Sequence, residues 1–280
     1  MTALQLIYNY LFDDYYKQIS RTMNRFRSLN NSFILIILSL ALFGCSNSLS
    51  ELSTGPSTST PNLKTEIIQP TKMKNSENYE FPPPIDPAMQ YLFYLHGKII
   101  EDQGIPAISP VFGEYQYETI LKTLSSFGFA VISEIRSKDT DSIEYAKNIS
   151  SQIKALINAG VPPGNITVVG ASKGAGITIF VSNFLHNEEV NFVLMGICST
   201  ETAEIIRTDK IYLVGNVLSI YETSDELAGS CQDIFSSSFG ERISRSDEVV
   251  LTTGLGHGFL YQPLDDWINP VVEWAKINKN

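Results

Sequence analysis

The sequence predicts an α/β fold, a mostly parallel, doubly wound sheet of about six strands flanked by helices. Three observations lead there. From about residue 90 onward, apolar runs of strand length alternate with amphipathic segments of helix length. At Ile166–Val169 an apolar strand runs straight into a glycine-bounded turn, and a helix follows at once. The chain has 280 residues, 43% hydrophobic and 18% charged, which suits one ordinary domain with a sizeable core. Strands joined through helices pair in parallel, and such sheets bind ligands at the carboxyl ends of their strands.

Residues 1–44 read as targeting, not fold. Phe33–Gly44 (FILIILSLALFG) is an apolar run of 12 residues preceded by Arg25 and Arg27. That is the layout of a secretory signal, and it falls short of the roughly 20 apolar residues that span a bilayer. Met23, just ahead of Arg25, would start a signal of ordinary proportions. The run ends Leu42-Phe43-Gly44-Cys45, which resembles the lipobox of bacterial lipoproteins. The resemblance implies a lipid on the Cys45 thiol and cleavage that leaves Cys45 first, so that the membrane is a partner through this anchor. By the same resemblance, Ser46 favours the outer membrane in a Gram-negative organism. A plain signal peptide or an uncleaved anchor is the alternative.

Ser46–Pro84 is rich in Ser, Thr, Asn and Pro and has no sustained apolar period. Residues 45–86 are therefore expected to form a flexible tether, with the folded domain at 87–280. Within that domain Tyr91–Leu95 is expected as a buried strand, Tyr117–Phe127 as a helix stopped by Gly128, and Ala130–Ile135 as the next strand. Ser142–Ala159 is a helix carrying Ile143, Ala146, Ile149, Ile153 and Ile157 on one face. Ile166–Val169 is a strand that feeds the helix Ala175–Leu185. Asn191–Cys198, Val217–Tyr221 and Val249–Leu251 complete the strands, and Asp266–Ile277 closes the chain as a helix.

Charge narrows the partners. The formal net charge is −10, and setting aside residues 1–44 leaves 16 basic against 28 acidic residues, a net of −12. Such a domain repels a phosphate backbone, so nucleic acid is excluded.

The chemistry centres on ITVVGASKGAG, Ile166–Gly176. Gly170-Ala171-Ser172-Lys173-Gly174 fits G-x-S-x-G, where small residues at both ends permit a turn too tight for side chains. The turn lifts the Ser172 hydroxyl above the sheet at a helix N-terminus, which favours developing negative charge. The five-residue pattern is common by itself, and the strand–turn–helix context is what raises it. The stretch is also similar to the cofactor loop of short-chain dehydrogenases, T-G-A-S-x-G-x-G. That family puts the loop at its first strand and a Y-x-x-x-K downstream. Here two strand–helix units come first, and neither Tyr212, Tyr221 nor Tyr261 has a Lys four residues on. No cofactor is expected.

A serine nucleophile needs an acid and then a histidine, each just past a strand. Val217–Tyr221 is followed by Glu222-Thr223-Ser224-Asp225, and Val249–Leu251 by TTGLGHG with His257 between two glycines. Ser172, Asp225 and His257 are the expected triad, with Glu222 and Asp233 as rival acids. His186, at a helix end, is expected to be a cap or surface residue. An oxyanion needs two donors. The backbone N–H of Lys173 is one.

Together with Tyr94-Leu95-His96-Gly97-Lys98, these motifs make the chain resemble the α/β-hydrolase family over about Met89–Lys276. The family's H-G motif implies that Gly97 lets its loop approach the substrate and that Lys98 offers the second N–H, with His96 structural. The usual strands before the H-G strand are missing or weak, and too few residues follow Cys198 for the usual lid. A minimal, uncapped version of the fold is expected.

Cys198 and Cys231 are either bridged, bracing the segment that carries Asp225, or two buried free thiols. Three scattered histidines and no closely spaced Cys pair leave no metal site expected. Glu134 and Arg136 interrupt the strand end where ligands bind, and are expected to form an ion pair or a solvated strand end before a substrate contact. The activity this reading implies is hydrolysis of a carboxylic ester, in preference to an amide or thioester, by a serine hydrolase. The alternative is a lipoprotein of the same fold that binds without cleaving.

Overall fold

The structure, a computed structural model, describes residues 85–276 and the backbone of three short strand pieces at 67–68, 71–72 and 79–80. The chain divides into two units, Met1–Asn62 and Leu63–Asn280, and all described residues belong to the second. The signal segment, Cys45, most of the expected tether and the last four residues lie outside the described residues.

The sheet has seven parallel strands: β1 (Ile67–Ile68), β2 (Gln90–Leu95), β3 (Phe129–Ile132), β4 (Ile166–Ala171), β5 (Asn191–Met195), β6 (Val214–Glu222) and β7 (Arg242–Leu251). Their spatial order is β1-β3-β2-β4-β5-β6-β7. Six of them are four residues or longer, and β1 is a two-residue pairing on the edge of β3. Thus β1 falls inside the segment read as a tether, as does a small antiparallel ribbon of Thr71–Lys72 and Tyr79–Glu80.

The connections are helical: α1 (Lys98–Gln103), α2 (Tyr117–Ser126), α3 (Ser142–Asn158), α4 (Lys173–Leu185), α5 (Thr200–Thr208), α6 (Gln232–Phe235) and α7 (Asp265–Lys276). On one face α2 and α7 bring Ile120, Leu124, Trp267, Ile268 and Val271 against Leu92, Tyr94, Val131, Val169 and Val193. On the other, α3 and α4 pack together, with α4 over β4 and β5. Helix α4 is buried on nearly every side, since ten further residues besides Lys173 are buried along its length. That sandwiching leaves it little room for the polar face of a surface helix. Asp141 starts α3 by accepting from the N–H groups of Ile143 and Glu144 at 2.9 and 3.1 Å.

Several elements differ from the sequence reading. Strand β7 begins at Arg242, seven residues ahead of the expected Val249, because RISRSDE is too polar to read as a strand. As the edge strand it is exposed at half of its positions, and its charges disfavour pairing with further chains. Arg245 lies over the Trp274 ring at 3.7 Å from its centroid. Helices α1, α5 and α6 were not expected, and α5 is the nine-residue crossover between β5 and β6. Strand β3 ends at Ile132, so Glu134 and Arg136 lie beyond it, and β5 stops at Met195, short of Cys198.

Cys198 and Cys231 are joined by a disulfide, with Cα atoms 5.2 Å apart. The Gly229 N–H also donates to the Cys198 carbonyl at 2.6 Å, so the segment after β6 is fastened to the end of β5. The bond spans 33 residues, for which loop-closure entropy gives about 4 kcal/mol. Replacing both cysteines with serine is therefore expected to lower the urea midpoint markedly. An unchanged midpoint would show that the bond does not constrain the unfolded chain as this relation supposes.

Candidate active site

The tight turn between β4 and α4 is the origin of the site. Ser172 has φ 53° and ψ −117°, a region that side-chain-bearing residues rarely enter and that costs on the order of 1–3 kcal/mol. Its N–H donates to the Met195 carbonyl at 2.9 Å, which ties the turn to the next strand. The flanking glycines are required by space. A Cβ on Gly174 would collide with the carbonyl of Leu95, and one on Gly170 with the carbonyl of Gly174. The end of β2 thus packs backbone to backbone against the start of α4. Gly97 differs, because a Cβ there would sit at an ordinary 3.7 Å from Ser172 Cβ. It is not needed for packing, though its loop does run alongside the serine.

Ser172, Asp225 and His257 converge. His257 Nε2 lies 2.9 Å from Ser172 Oγ, and Nδ1 lies 2.7 Å from Asp225 Oδ2. A carboxylate only accepts, so the Nδ1–H donates to Asp225 and the Ser172 hydroxyl donates to Nε2. The Asp225 carboxylate is inaccessible to solvent and its Oδ1 accepts from the Leu227 N–H at 2.9 Å, which fixes the oxygen facing His257. His257 is largely buried while Ser172 remains partly open. Asp233, one rival acid, lies exposed on α6.

Three further residues surround the triad side chains, and of them the sequence had singled out only Glu222, as a rival acid. Gly196, at the end of β5, leaves room for the imidazole: a Cβ there would stand 3.2 Å from His257 Cε1. Phe112 lies in the turn of a ribbon formed by Ile108–Ser109 and Gly113–Glu114, and its ring stands 6.4 Å from His257 and 5.4 Å from Tyr261. Glu222, the other rival acid, is fully buried and serves both loops instead. It accepts from Ser224 in the acid loop, at 2.8 Å from the hydroxyl, and from the Thr253 hydroxyl and Gly256 N–H beside His257, each at 3.1 Å. Burial alone would push its carboxyl up. The hydrogen bonds from Ser224, Thr253 and Gly256 outweigh this and hold its pKa at about 2, against an ordinary 4.5.

Under the turn lies a buried charge cluster. Glu101 on α1 accepts from Lys173 Nζ at 2.5 Å, from Arg136 Nε at 3.1 Å and from the Thr140 N–H at 3.1 Å. Arg136 is therefore held in an ion pair, whereas Glu134 is exposed. Arg136 also donates from Nη2 to the His96 carbonyl, and its N–H donates to His96 Nε2 at 3.1 Å. Burial, and then the nearby Arg136 charge, push the His96 pKa well down, so the ring is neutral and structural. Lys98 and Lys173, the expected oxyanion donors, are the first residues of α1 and α4. The Lys98 ammonium is spent on Asp102, at 2.7 Å. Exposed His186 ends α4 in a left-handed conformation, φ 51°.

An open cavity of about 730 Å³ lies behind Asp225, between α5 and the segment 226–239, and neither Ser172 nor His257 lines it. Among the described residues no group of three His, Cys, Asp or Glu side chains is placed to hold a metal ion.

Six long parallel strands, helices on both faces and a strained serine turn after β4 give the chain the α/β-hydrolase fold in minimal form. No protein family and no curated protein matches the sequence. Among solved structures the chain is similar to SOBER1 of Arabidopsis thaliana, at 14% identity and TM-score 0.46, over 68% of this chain and 99% of that one. It is also similar to an esterase of Pyrococcus furiosus, at 13% identity and TM-score 0.49, over 79% and 96% of the two chains.

Two outcomes follow from this geometry. Gly174→Ala is expected to abolish soluble expression or cost more than about 3 kcal/mol in urea unfolding, because the clash is with backbone. Glu222→Gln is expected to cost roughly 1.5–3 kcal/mol near neutral pH, as hydrogen bonds to a charged group are weakened. The sign in pH is set by the lowered pKa. The native carboxylate contributes fully above about 4.5 and loses its contribution as pH falls toward about 2. Unfolding curves of wild type and variant should therefore draw together across that window.

Proposed function

We propose that the chain is a serine hydrolase that cleaves a carboxylic ester, in preference to an amide or thioester, through an acyl-Ser172 intermediate. The observation that carries this reading is the continuous run from Ser172 Oγ through the His257 ring to the Asp225 carboxylate, with bonds of 2.9 and 2.7 Å. In the first step His257 Nε2 takes the hydroxyl proton as Ser172 attacks the ester carbonyl, and the imidazolium is stabilised by Asp225. The oxyanion is received by the backbone N–H groups of Lys98 and Lys173. The imidazolium then protonates the departing alcohol. In the second step His257 takes a proton from water, the hydroxide equivalent attacks the acyl-serine, and Ser172 regains its proton as the acid leaves.

The location proposed is the outer side of a bacterial cytoplasmic membrane, by export and a lipid on Cys45, with the outer membrane favoured in a Gram-negative cell. The Cys198–Cys231 bond supports an oxidising compartment. Labelling with radioactive palmitate in an expressing bacterium should be lost in Cys45→Ser, and labelling that persists would remove the anchor.

A fluorophosphonate probe tests the chemistry. Wild type should be labelled and Ser172→Ala should not; folded wild type that takes no label would favour a binding protein built on the same fold. Asp225→Asn is expected to lower kcat on p-nitrophenyl acetate by 10³–10⁴ on the order of magnitude known for loss of the orienting acid, with little change in melting temperature.

A further inference from the structure

The Glu101–Lys173–Arg136 cluster is not used by the proposed reaction, yet it sits directly beneath it. Its members are unusual in how little water they see: the side chains of Glu101 and Arg136 are fully inaccessible and that of Lys173 is 2% exposed. Charges buried this completely are costly to desolvate, and apolar replacements of similar size would often hold a fold as well. What distinguishes the cluster is where its ends are attached.

Lys173 immediately follows Ser172, and its backbone N–H is one oxyanion donor in the reaction proposed above. Glu101 is on α1, whose first residue, Lys98, supplies the other. The Glu101–Lys173 bond, 2.5 Å, therefore joins the two donor-bearing segments through their own side chains. Lys173 Nζ donates a second time, to the Thr140 carbonyl at 3.0 Å. Arg136 closes the circuit by bonding both Glu101 and the carbonyl of His96, one residue before Gly97. Two separate segments, 136–140 and the start of α4 at Lys173, thus converge on one carboxylate carried by α1.

We infer that Glu101, Lys173 and Arg136 form an electrostatic clamp that sets the spacing of the two oxyanion donors, Glu101 being its positioning residue. The inference rests on the hydrolase reading and deepens it. Preorganised donors act through placement to within a fraction of an ångström, so a clamp of this kind influences the tetrahedral state while leaving ground-state binding nearly untouched. It also explains a lysine directly after the nucleophile, where the inward-pointing side chain faces protein and not substrate.

The test uses Glu101→Gln together with Lys173→Met. This double variant keeps the net charge of the cluster, since one anion and one cation are removed, and its amide oxygen keeps an acceptor for one of the two remaining donors, Arg136 Nε and the Thr140 N–H, which bond different oxygens of Glu101. Glu101→Gln alone serves as a second variant should packing of Met fail. On p-nitrophenyl acetate, kcat is expected to fall about 10- to 100-fold with KM within twofold. Inhibition by an alkyl trifluoromethyl ketone, whose adduct places an oxyanion between the donors, should weaken by a similar factor. Circular dichroism and melting temperature establish that the variant is folded. Folded double variant with wild-type kcat and wild-type inhibition would overturn the clamp while leaving the hydrolase reading intact. Wild type that turns over no ester, and takes no fluorophosphonate, would sink both.

Discussion

Everything at this site depends on one strained residue, Ser172, kept at φ 53° by the structure around it. Left alone, a serine would relax to ordinary backbone angles and turn its hydroxyl away from the imidazole. Three constraints prevent that: its N–H is bonded to Met195, helix α4 begins at the next residue, and Gly174 lies flush against the Leu95 carbonyl. Neighbouring strands hold each of these in place. The sheet as a whole supports the strain, so the core and the candidate chemistry are not separate matters.

Three buried carboxylates take different parts around that turn, and their partners decide which. Asp225 meets a histidine and can orient it. Glu222 meets hydroxyls and backbone N–H groups from two loops, so it holds the acid and histidine loops in register and stays ionised to about pH 2. Glu101 meets a lysine and an arginine and lies beneath the turn. The chemical group is the same in all three. Distance and donor type separate their roles, and neither is visible along the chain.

Much of the fold was legible because apolar periodicity survives wherever an element is buried. The strand Tyr91–Leu95, the helix from Ser142 and the serine turn all emerged within a residue or two of their observed limits. Legibility failed where burial was one-sided or absent. Strand β7 is half exposed and charged, so only its last three residues read as a strand. Helix α1 is six residues long, and its inward face includes Lys98 and Glu101, which sequence rules place outside. Choosing Asp225 over Glu222 followed from the place of Asp225 in the loop after its strand, but what occupies Glu222 is its bonds to Ser224, Thr253 and Gly256.

By itself the sequence determined the alternation of strands and helices, the serine turn and the order of serine, acid and histidine. These are local properties: hydrophobic period and glycine placement act within a few residues of themselves. Only the tertiary structure decided that His257 reaches Ser172 across 85 positions, that Cys198 bonds Cys231, and that Glu101 neutralises Lys173 across 72. Such pairings arise from how the sheet stacks its strand ends along one rim. Coulombic attraction and hydrogen bonding then operate through space, between residues that the chain keeps far apart.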